Sequence, residues 1–62
     1  MTIKIVNASS KETRVFNGTP EELVPQLGAR YSWLKRYRPT CLPDILRLLS
    51  RQQMLFVSVE EA

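Results

Sequence analysis

The chain has 62 residues, with nine Lys or Arg against six Asp or Glu, a formal net charge of +3, one cysteine and no histidine. A single cysteine excludes an internal disulfide. The lack of histidine removes the commonest general base and, with only one thiol, the usual zinc ligand sets.

"TIKIV" (2–6) predicts a strand, with Ile3 and Ile5 on one side and Lys4 and Val6 on the other. The polar "NASSKE" (7–12) predicts a turn and "TRVFN" (13–17) a second strand, so the two make an antiparallel hairpin that "NG" ends. In "TPEEL", Thr19 suits an N-cap, Pro20 the first helical position and Glu22 the third, which closes a capping box. Pro25 lacks an N–H and crowds the carbonyl of Glu21, which predicts a kink or a restart near Val24. The helical pattern runs on to about Tyr37 and stops at Pro39. A second helix is expected within "TCLPDILRLLSRQQ" (40–53), with Pro43 and Asp44 in its first turn. The apolar "MLFVSV" (54–59) predicts a last strand.

At about 100° per residue, Leu23, Tyr31 and Leu34 fall within about 40° of Leu27, a core-facing arc flanked by Trp33 and Tyr37. Arg36 points away from it, whereas Arg30 and Arg38 fall among the apolar residues, a spread unlike the single basic face that tracks phosphates. The second helix places Leu42, Ile45, Leu46, Leu48 and Leu49 within an arc of about 160°. Arg47 and Arg51 lie opposite, with Asp44 spaced to pair with Arg47. Cys41, near the helix start, is expected to be a buried structural thiol.

These elements assemble as a single small α+β domain, residues 1–62, of order ββααβ. A two-helix crossover permits the last strand to lie parallel to the first. The expected sheet is therefore three-stranded and mixed, in order 2-1-3, with both helices packed on one face. In outline this element order resembles the β-grasp arrangement of ubiquitin-like and small sulfur-carrier proteins, which implies a fold only. Those carriers end in Gly-Gly, whereas this chain reads "SVEEA", so no carrier chemistry follows.

Two helices on one side leave the other sheet face open. With Leu55, Val57 and Val59 facing the helices, Val6, Phe16, Met54 and Phe56 are expected there, with Lys4 and Ser58 among them; with the last strand turned the other way, Leu55, Val57 and Val59 lie outside instead, and either assignment leaves apolar side chains on the open face. An apolar patch beside open strand edges points to an interaction surface. The function expected is a small non-enzymatic module binding a protein partner or a second copy of itself through Val6, Phe16, Met54 and Phe56. The alternative is nucleic-acid binding through Arg30, Trp33, Lys35, Arg36, Tyr37 and Arg38, with Arg47 and Arg51 as further candidates and stacking on Trp33. Catalysis, a cofactor and a metal site are not expected: the carboxylates lie in turns and first turns, and there is no Gly-rich phosphate loop. No apolar run has the length of a membrane span and no signal-like segment opens the chain, so a cytoplasmic protein is expected.

Overall fold

The computed structural model describes residues Met1–Glu61. Strand β1, Thr2–Asn7, is the centre of a three-stranded sheet of order β2-β1-β3, with β2 at Thr13–Asn17 and β3 at Leu55–Glu60. The hairpin turns on Asn7, whose side-chain oxygen accepts hydrogen bonds from the backbone N–H groups of Ser9 and Ser10. This is the local turn chemistry that Asn supplies.

Gly18 leaves β2 at φ +151°, a backbone region costly for any other residue, and a Cβ there would lie 3.2 Å from that of Glu22. Helix α1, Pro20–Arg30, starts immediately afterwards with a complete capping box on Thr19 and Glu22. The Thr19 hydroxyl accepts from Glu22 N–H at 3.2 Å, and the Glu22 carboxylate accepts from Thr19 N–H at 3.0 Å. The backbone bond from Thr19, aided by its hydroxyl, holds the Glu22 carboxyl below its ordinary range. A carboxyl depressed in the folded state contributes stability above its unfolded pKa and loses it as pH falls through the folded one. Glu22→Gln should therefore melt below the wild type at pH 7, and the two melting temperatures should converge as pH falls through the lowered Glu22 value. A gap independent of pH in thermal melts would show that the box contributes through geometry alone.

Pro25 does not break α1, which is one continuous helix from Pro20 through to Arg30 with no restart at Val24. The helix stops earlier than the periodicity suggests. Tyr31 adopts φ −115°, ψ 75°, and Ser32–Tyr37 form a separate 3-10 helix that ends on Arg38 in the left-handed region, φ 49°. Helix α2, Leu42–Ser50, follows with Cys41 as its N-cap residue. Cys41 is exposed, not buried: it precedes the first turn and lies outside the apolar arc.

β3 pairs antiparallel with β1, so the sheet is antiparallel throughout and not mixed. The cause is the extra leg. Pro20 and Glu21, at the start of α1, border a hollow with Thr40, Cys41 and Leu42, at the start of α2. Arg30 and Tyr31, at the end of α1, border another with residues 51–55, beyond the end of α2. The two α-helices thus run in the same direction, and the 3-10 helix with residues 38–41 carries the chain back between them. Three legs in place of two reverse the direction in which β3 enters the sheet. The likeness to a β-grasp ends here, because that arrangement needs β1 and β3 parallel.

Ile3, Ile5, Leu23, Leu27, Leu34, Leu42, Ile45 and Leu49 form one buried cluster. Leu34 reaches it from the 3-10 helix, so the predicted core residue is retained although its element is not α-helical.

Candidate functional site

Alternation along the strands sorts the sheet into two faces. Ile3 lies opposite Phe16 and Val59, and Ile5 opposite Arg14 and Val57, so these share the face that carries the core. Lys4 lies opposite Val15 and Ser58, and Val6 opposite Thr13 and Phe56, so these share the other. Of the residues expected on the open face, Val6 and Phe56 are there, side by side, with Lys4 and Ser58 as neighbours. Phe56 is 61% exposed.

Phe16 is not. Its parity turns it to the core side, where its ring packs 6.3 Å from that of Tyr31. Met54 is exposed but lies in the turn before β3, bordering the hollow that also meets Trp33 and Arg51. Val15, 54% exposed, takes the place on the open face that Phe16 vacates. Alternation shows only that one of Val15 and Phe16 faces the core, and the pairing of Phe16 with Ile3 decides which.

β3 is also a free edge. Val59 has core-side parity yet is 42% exposed. Ala8 N–H donates to the Met54 carbonyl, and Ala8 stands opposite Met54 in the extended register. In an antiparallel ladder such bonded pairs alternate. Phe56, Ser58 and Glu60 therefore bond to β1, while the main-chain groups of Leu55, Val57 and Val59 point outward. The Leu55 N–H accordingly goes to the Gln52 carbonyl instead of to β1. No proline or lysine guards this edge, the usual devices against pairing with another chain.

A second surface gathers cations and aromatics. Trp33 and Tyr37 meet edge to face at 6.2 Å. Tyr37 and Arg38 border a cleft with Arg47 of α2 and Arg51 just after it, while Arg51 shares the neighbouring hollow with Arg30, Tyr31 and Trp33. Helix periodicity scattered the cations of residues 30–38; the end of the 3-10 helix and the residues just after it bring Tyr37 and Arg38 beside Arg47 and Arg51, with Asp44 on the same cleft. Lys35 borders a different hollow, with Val24 and Gly28, and Arg36 is exposed. Asp44 does not pair with Arg47 but accepts from the Thr40 hydroxyl at 3.3 Å. Arg30 sits 5.6 Å over the Tyr31 ring and 3.8 Å from Glu12, which also pairs with Arg14 at 3.1 Å. Burial raises the Tyr31 phenol above its ordinary value, against the opposing pull of Arg30 and Arg14.

Among the described residues no three Cys, Asp or Glu side chains come together as a metal-binding group, and no helix is long and apolar enough to cross a membrane.

Fold and surfaces together define a small antiparallel α+β domain with one unguarded apolar edge strand. No protein-family model, no curated protein and no solved structure matches the chain.

Proposed function

We propose that this chain is a small non-enzymatic interaction module that binds protein through β3 and the open sheet face. On this reading the two α-helices shelter the Ile3 and Ile5 face alone. Phe56, Val6 and Val15 form the contact on the other face, and Met54 extends it past the strand. The observation that carries the reading is β3 itself: Phe56 and Val59 expose apolar surface on its two sides while its outward main-chain groups lack a strand partner. A strand of this kind recruits another by backbone pairing and takes specificity from alternate side chains. The non-enzymatic part rests on the sequence, which has no histidine, and on carboxylates that occupy caps, turns and the last strand. The setting proposed is the cytoplasm, where an exposed thiol such as Cys41 stays reduced.

Phe56→Lys is the direct test. Phe56 is largely exposed, so the variant should keep the wild-type circular dichroism and thermal melt. Binding should weaken about tenfold or more, as expected from losing roughly 1.5–3 kcal/mol of aromatic burial. The measurement is affinity of the purified binder for wild type, Phe56→Lys and the remote control Arg36→Ser. Equal affinity for all three would overturn the open-face contact and leave the β3 edge, which Val59→Pro tests, as the only part of the reading still standing.

A second reading has its own observation, the grouping of Arg38, Arg47 and Arg51 beside Tyr37, with Arg30 and Trp33 adjacent. A single-stranded nucleic acid would lay phosphates on these guanidinium groups and stack a base on Trp33. Addition of oligonucleotide at low salt should quench the Trp33 fluorescence, and the affinity should fall steeply as salt rises. An unchanged emission would remove this reading and leave the first untouched.

A further inference from the structure

We infer that the partner of β3 is a second copy of this chain, paired antiparallel about a two-fold axis at Val57. The inference rests on the reading of β3 as an interaction strand and adds the identity and register of its occupant.

Three observations select it. The first is the main chain. Leu55, Val57 and Val59 carry the outward-pointing groups, so an added strand must bond to those residues. Pairing Val57 with Val57 of the second copy matches each outward residue to another. Val57 bonds reciprocally to its counterpart, and Val59 N–H donates to the Leu55 carbonyl of the second copy. The Leu55 N–H, already held by Gln52, is not needed.

The second is side-chain parity. Residues opposite each other in a ladder share a face. In this register Val59 meets Leu55 and Val57 meets Val57 on the core side, an all-apolar row that covers the exposed Val59. Above that row, α2 turns Asp44, Leu48 and Arg51 toward the cleft with Tyr37. Helical spacing then leaves the half-buried Leu46 and the exposed Ser50 on the opposite flank of the helix that packs on β3, available to α2 of the second copy.

The third is charge. Glu21, Glu22, Glu60 and Glu61 all lie at the end of the molecule where β1 begins and β3 finishes. Lys11, Arg30 and Arg51 lie at the opposite end, by the β1–β2 turn and the start of β3, where Glu12 also lies, paired with Arg14 and Arg30 and so leaving Arg51 as the cation beside β3. A parallel neighbour would set like charge against like. The antiparallel one brings Glu60 and Glu61 of the second copy opposite Met54 and Gln53, next to Arg51. The product is a six-stranded antiparallel sheet in which both β3 edges are consumed.

The test uses the full chain at several hundred micromolar, by light scattering and by amide hydrogen exchange. The expected mass is twice 7.2 kDa. The expected exchange pattern has Val57 and Val59 amides protected along with Phe56 and Ser58. In a monomer Val57 and Val59 would exchange freely while Phe56 and Ser58 stayed slow. Val59→Pro deletes an outward donor on an edge strand, where proline is tolerated. It should weaken the dimer more than tenfold, with the core amides of Ile3 and Ile5 still protected. Phe56→Lys should leave the dimer intact, since Phe56 points to the other face. A monomeric wild type overturns the inference, and the Phe56→Lys binding experiment then decides separately whether the interaction reading survives. A dimer lost in Phe56→Lys but kept in Val59→Pro also overturns it, assigning the contact to the open face instead of the edge.

Discussion

Leu27→Ala is expected to leave the chain largely unfolded at 25 °C. Leu27 is fully inaccessible to solvent and belongs to the single buried cluster that joins α1, the 3-10 helix, α2 and the sheet. Truncating such a leucine costs about 2–5 kcal/mol, the transfer of its methyl groups plus the cavity left behind. A core in a domain of this size supplies roughly 3–5 kcal/mol in total. The two magnitudes are comparable, so one truncation should exhaust the stability. Far-UV circular dichroism and a urea titration check it. A variant that keeps a cooperative transition within about 1 kcal/mol of wild type would mean that the cluster is not one cooperative core.

The opposite result is expected two residues earlier. Pro25→Ala should stabilise the protein by about 2 kcal/mol and raise its melting temperature by about 10 °C. Pro25 is exposed and lies inside a continuous helix, where it denies the Glu21 carbonyl its hydrogen bond. An interior proline is about 3 kcal/mol worse than alanine. Part of that, about 0.4–1 kcal/mol, returns because proline also restricts the unfolded chain. A melting temperature that does not rise would mean that α1 relaxes around Pro25 at no cost. Because the two changes act through different terms, cavity and backbone, Pro25→Ala placed in Leu27→Ala should recover part of the lost folded signal.

The legible parts of this fold are those decided by neighbours in the chain. The Thr19–Glu22 capping box closes over three residues, and its partners and their order are readable as letters. The five- and six-residue strands alternate, so the split of Ile3 and Ile5 from Lys4 and Val6 follows from a period of two. Phe16 and Val15 show where this ends. The alternation says that they oppose each other, and only the pairing of Phe16 with Ile3 says which one is inside.

Where α1 stops is a different kind of question. Leu27, Tyr31 and Leu34 keep helical spacing, and all three do contact the core, yet the helix gives way at Tyr31. Periodicity records which side chains must be buried, and a 3-10 helix entered through a break buries Leu34 as well as an α-helical turn would. That break adds a leg to the crossover, which reverses β3 and makes the sheet antiparallel. It also brings Tyr37 and Arg38 to Arg47 and Arg51, so the basic cleft exists in space and not along any one helix.

The amino-acid sequence by itself determined the three strand segments, the start of α1 with its capping box, the second helix, the buried alternate residues of β1 and the apolar character of residues 54–59. Tertiary structure alone decided the direction of β3, the burial of Phe16 in place of Val15, and which cations share a surface. The reason is one of range. Hydrogen-bonded turns and side-chain periods act over a few residues, whereas strand direction and surface composition depend on how many times the chain crosses the core between two distant segments, a number that no local preference carries.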